Sequence, residues 1–86
     1  MKELTYFYLP GCPFCKQASA WMEELIKENP DYGKIPVQRV DERQNRALAD
    51  QYDYWLVPSF FIGDEKLHEG AATKDIIKKV LDKALE

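Results

Sequence analysis

The chain has 86 residues, 45% hydrophobic and 31% charged, which fits a single domain over 1–86 of ordinary globular composition and excludes a disordered or collagen-like segment. Against 15 acidic residues stand 12 basic ones, with the signs interspersed and a formal charge of −3, so the basic patch of a nucleic-acid binder is missing. The longest apolar runs, such as Tyr6–Leu9 and Phe60–Ile62, fall far short of the ~20 residues that span a bilayer; the stretch Met1–Thr5 has no signal-peptide core, and a cytosolic protein is expected.

Leu4–Leu9 is rich in aromatic and branched residues and stops at Pro10-Gly11, which predicts a buried strand. Phe14, Ala18, Trp21, Met22, Leu25 and Ile26 then recur at spacings of three and four. They predict an amphipathic helix from Pro13, suited to the first helical position, to about Glu28. Ile35–Val40 is expected to be a second strand. The next helix is expected from Asp41, with Glu42 and Arg43 in its first turn, to Tyr52, carrying Leu48, Ala49 and Tyr52. Ser59–Ile62 and Lys66–Glu69 flank the turn Gly63-Asp64-Glu65 and read as a hairpin. His68 is expected to be a plain surface residue of an edge strand. Thr73 can cap a last helix with Ile76, Ile77, Val80, Leu81, Ala84 and Leu85 as its buried stripe. The order β-α-β-α-β-β-α predicts an α/β fold. Its four-stranded mixed sheet is flanked by helices, because parallel neighbours need crossovers and a hairpin does not.

Two cysteines are too few for a disulfide framework, but they stand three apart, in Cys12-Pro13-Phe14-Cys15. With Cys12 as N-cap, its sulfur faces the free N–H groups of Phe14 and Cys15 at the positive end of the helix dipole. Lys16 adds a positive charge. All three favour a thiolate at Cys12. Cys15 lies further inside the helix and is expected to be less exposed. Residues i and i+3 of a helix have Cβ atoms roughly 5–6 Å apart, so a modest adjustment closes a disulfide. Such a short loop would stabilise the fold by only about 2 kcal/mol, so the bond suits exchange better than stapling. A structural disulfide, half of a zinc site with His68, and two inert buried cysteines are the competing readings. Redox chemistry is the strongest, because C-x-x-C beside a βαβ pattern is a redox signature.

Tyr8-Leu9-Pro10-Gly11-Cys12-Pro13-Phe14-Cys15, followed by Val57-Pro58, resembles the thioredoxin superfamily from Leu4 to Leu85. The C-P-aromatic-C tetrad and the short length look like a glutaredoxin. The stretch Gly70-Ala71-Ala72-Thr73-Lys74 is more similar to thioredoxins, and neither the Gly-Gly of glutaredoxins nor the buried strand acid of thioredoxins is present. The resemblance implies a thioredoxin-like fold, a cis Val57–Pro58 bond beside the cysteines, and a backbone at Val57 that pairs with substrate.

The expected activity is therefore thiol–disulfide exchange, with Cys12 the nucleophile and Cys15 the resolving thiol. Pro13, Phe14, Lys16, Trp55, Leu56, Val57 and Pro58 are expected around the substrate, Trp55 and Leu56 as an apolar rim or as local packing. No metal and no tightly bound cofactor is expected. Glutathione or a thioredoxin-reductase-type donor would supply electrons to a monomer acting on protein disulfides. The alternative is a glutathione-dependent [2Fe–2S] carrier, with one Cys12 thiolate from each of two subunits.

Overall fold

The structure is a computed structural model describing residues 1–86. Its elements are β1 (Leu4–Tyr8), α1 (Pro13–Glu28), a 3-10 turn (Pro30–Lys34), β2 (Val37–Asp41), α2 (Arg46–Ala49), β3 (Ser59–Ile62), β4 (Glu65–Glu69) and α3 (Lys74–Leu85). The sheet order is β2-β1-β3-β4. β1 and β2 are parallel, while β1–β3 and β3–β4 are antiparallel. This is the expected mixed sheet.

β1 is central and its first four residues are buried, as a strand covered on both faces should be. The pleat sends its side chains alternately to two cores. Leu4 and Tyr6 join Phe60 under α1 and α3, packing against Ala18, Met22, Leu25, Ile77, Val80, Leu81 and Ala84. Phe7 and Phe61 face the other way, into a smaller aromatic cluster with Val40, Ala49, Tyr52, Tyr54 and Val57. Lys74 ties the start of α3 to α1 through Glu24 at 2.9 Å and Glu28 at 2.5 Å.

Four expectations need correction. The helix expected from Asp41 begins only at Arg46. Asp41 Oδ1 accepts the Arg43 N–H at 2.9 Å, and the Asn45 side chain donates to the Asp41 carbonyl at 3.1 Å. That Asx turn competes with helix for the same backbone groups. Its far end also tightens, since the Gln51 and Tyr52 N–H groups donate to carbonyls only three residues back. Phe14 is exposed, because the buried face of α1 is centred on Cys15, Ala18, Met22 and Leu25. Trp21 packs against the main core as its place on the helix predicts, but is only partly buried, and its buried indole N–H has no partner. The second strand starts at Val37, because Ile35 instead closes the 3-10 turn, donating its N–H to the Tyr32 carbonyl.

Candidate active site

β1 delivers the chain to a turn in which Gly11 has φ +83°, a conformation open to glycine and strained for other residues. Cys12 follows as the N-cap of α1, with extended backbone and Pro13 at the first helical position. The Cys15 N–H donates to the Cys12 sulfur at 3.4 Å. Both cysteines are free thiols, Cys12 partly exposed and Cys15 buried.

Their acidities diverge. Partial burial pushes the Cys12 thiol up, but hydrogen bonds from the Cys15 thiol and from the N–H groups of Cys15 and Phe14 outweigh it, and the net shift is downward. The nearby charge acting on Cys12 is Glu42, which opposes ionisation. Burial pushes the Cys15 thiol up to about 12. One thiol is therefore readied as a thiolate and the other held as a proton-bearing reserve.

The strand beneath the helix supports this geometry. The Tyr6 hydroxyl donates to the Cys15 carbonyl at 2.9 Å and shares a hydrogen bond with Ser19 Oγ at 3.0 Å. Burial, the largest influence, raises the Tyr6 pKa and keeps the phenol a donor. Beside Cys15 opens a cleft of about 310 Å³ lined by Tyr8, Leu9, Pro10, Gly11, Lys16 and Ser19.

Topology brings the second segment to the same end of the sheet. β1 leaves the sheet there, and β3, antiparallel to it, enters there with Ser59 opposite Phe7. The residues before β3 therefore flank the strand-to-helix turn that carries Cys12. The Val57–Pro58 bond is cis. Trp55 is 90% and Leu56 61% exposed, and the Val57 amide and carbonyl have no hydrogen-bond partner within the chain. The thioredoxin family model matches residues 2–83.

The chain belongs to the thioredoxin family. A thioredoxin of Methanocaldococcus jannaschii is 29% identical over 83 residues, covering 96% of this chain and 95% of that one. Protein disulfide-isomerase A4 of Bos taurus is 36% identical over 84 residues, 90% of this chain and 13% of that longer protein. Among solved structures, a mutant thioredoxin from Halobacterium salinarum NRC-1 superposes with a TM-score of 0.69 at 26% identity, over 98% of this chain and 74% of that one. The oxidised thioredoxin of Plasmodium falciparum, at 18% identity, shares the fold with a TM-score of 0.72 over 98% and 81% of the two chains. This thioredoxin-family chain is a thiol–disulfide oxidoreductase by class.

Two carboxylates at this end of the sheet escaped sequence reasoning. Glu42, expected as a helix start, accepts the Tyr54 hydroxyl at 2.5 Å and acts on both thiols. Glu69 accepts the N–H groups of Trp55 and Leu56 at 2.5 and 2.8 Å. Neither has a sequence signal, since each meets partners that lie far away along the chain. Lys16 lines the cleft beside Cys15, and the His68 ring is hydrogen-bonded to the Ala71 carbonyl at 3.0 Å. No helix is long and apolar enough to cross a membrane.

Proposed function

We propose that this protein reduces disulfides of protein substrates in the cytosol by a two-thiol exchange. The Cys12 thiolate attacks a substrate S–S bond, forming a Cys12–substrate disulfide and releasing one substrate thiolate, which takes up a proton. Cys15 gives up its proton and attacks the Cys12 sulfur, and the S–S bond to the substrate breaks, releasing the second substrate thiolate, which takes up that proton. The substrate has gained two electrons and two protons, and the protein holds a Cys12–Cys15 disulfide. The observation that carries this reading is the asymmetry of the pair: a partly exposed, hydrogen-bonded Cys12 with lowered pKa beside a buried Cys15 raised to about 12.

The exposed Phe14, Trp55 and Leu56 form the apolar docking edge, and the unpaired backbone of Val57 receives the substrate chain as an added strand. Pro13 sets the helix start, Pro58 turns the chain into β3, and Lys16 borders the cleft. The protein acts as a monomer without a tightly bound cofactor, re-reduced by glutathione or by a thioredoxin-reductase-type donor.

The test is to reduce the oxidised protein with glutathione and, separately, with an NADPH-driven thioredoxin reductase, then assay reduction of insulin disulfides. Sustained insulin reduction with either donor supports the reading, and the faster donor identifies the physiological class. Insulin reduction that persists in Cys12→Ser protein would refute it.

A further inference from the structure

We propose that Glu69 and Lys66, outside the dithiol, are positioning residues that clamp the Trp55–Leu56 edge in the posture that receives a protein disulfide. The proposal rests on the reading of that edge as the docking surface. The β3–β4 hairpin is irregular. Ser59 pairs with Glu69 and Phe60 with His68, but Phe61 pairs with Lys66, so Leu67 is one residue extra on β4. In a regular strand, residues three apart point to opposite faces. The bulge cancels that alternation and puts Lys66 and Glu69 on one face, the face of Phe61 and the aromatic cluster that holds Tyr54 and Val57.

The two side chains then meet at 2.7 Å and divide the neighbouring loop between them. Glu69 Oε2 accepts the Trp55 N–H at 2.5 Å and the Leu56 N–H at 2.8 Å, while Lys66 Nζ donates to the Asp53 carbonyl at 3.1 Å. Three backbone groups of a segment with no helix or strand are closed by two residues of the edge strand. Packing holds Tyr54 and Val57 on either side but not the edge between them, because Trp55 and Leu56 are largely exposed. An exposed ion pair alone is worth little, but a carboxylate accepting two backbone N–H groups forms the stronger, charge-assisted kind of bond. The Leu56 carbonyl is also taken, by the Ser59 hydroxyl. No hydrogen bond joins Lys66 or Glu69 to either cysteine. Loss of the clamp therefore frees the docking edge, adds an ordering cost to protein substrates and leaves the thiol chemistry alone.

The experiment compares the full-length protein with Glu69→Ala, Glu69→Gln and Lys66→Met. It measures KM and kcat for insulin disulfides, the rate with a small aromatic disulfide, and amide exchange at Trp55 and Leu56. We expect Glu69→Ala to raise the insulin KM by about threefold to tenfold, the size of an added ordering cost, with the small-disulfide rate unchanged and both amides exchanging faster. In Glu69→Gln the amide oxygen still accepts both N–H groups, so most of the wild-type KM and protection return; Lys66→Met falls between. If Glu69→Ala fails to fold, Glu69→Asp, too short to span both amides, carries the same expectation. Unchanged insulin KM or unchanged amide exchange in the variant overturns the clamp. Wild-type protein that reduces neither disulfide overturns the function instead.

Discussion

The sulfur of Cys12 accepts a hydrogen bond from the Cys15 N–H across 3.4 Å, which joins the two cysteines through the start of α1 before any covalent bond forms. The same contact that orders the helix terminus stabilises the thiolate. Cys12 alone is exposed enough to use it, and Cys15 sits behind it at 2% exposure.

Alkylation should divide the pair. Iodoacetamide at neutral pH is expected to modify Cys12 and spare Cys15, and the pH profile of Cys12 labelling should have its midpoint below that of an unperturbed thiol. Peptide mapping by mass spectrometry reads this directly. Equal labelling of both cysteines would contradict the assigned roles.

The pair also makes stability depend on pH. The folded pKa of Cys15 is raised from 9.0 to about 12, so its favourable contribution is complete below about pH 9 and disappears as pH rises through 12. Cys12 is shifted down and acts in the opposite sense, gaining before pH 9 is reached. Urea unfolding of the reduced protein should lose stability between pH 9 and 12. Cys15→Ala, which has no thiol there to ionise, should show a flatter profile over the same range.

Tyr6→Phe removes one hydroxyl from beneath the active-site helix while the ring can keep its stacking on Phe60, at 4.7 Å between centroids. Two hydrogen bonds vanish, to the Cys15 carbonyl and to Ser19 Oγ. The expected cost is about 1–2 kcal/mol, the value of a buried hydrogen bond with its partner left unsatisfied. The denaturant midpoint of the variant against wild type measures it.

Gly70 follows Glu69 at φ +90°, and an added Cβ would lie 3.4 Å from Leu56 Cδ1. Gly70→Ala therefore places a side chain in the left-handed region, at a cost of about 1–2 kcal/mol. It also brings a methyl into van der Waals contact with the docking edge, so the Leu56 methyl resonances should shift more than those of Leu81, which lies in the core.

Sequence reading reached the dithiol because its cues are local. Pro10-Gly11 ends the strand, Pro13 opens the helix, and Ala18, Met22 and Leu25 set its buried face. The hairpin and the Thr73 cap were legible for the same reason; Thr73 Oγ1 accepts the Ile76 N–H at 3.2 Å. What failed depended on competition or distance. Asp41 carries acids and apolar residues after it at helical spacing, yet its own side chain captures the Arg43 N–H and postpones the helix to Arg46. Phe14 fitted the periodicity by one position and is 55% exposed. Glu42 comes near the thiols, and Glu69 meets the loop before β3, only after the sheet has formed, and the placing of Glu69 needs a bulge that no residue type announces.

The most direct test of the central claim is to mix Cys15→Ser protein with insulin and locate the adduct by mass spectrometry. With the resolving thiol gone, the first step should stop at a mixed disulfide, and the account predicts that it sits on Cys12. No adduct under conditions where wild-type protein reduces insulin would contradict the account.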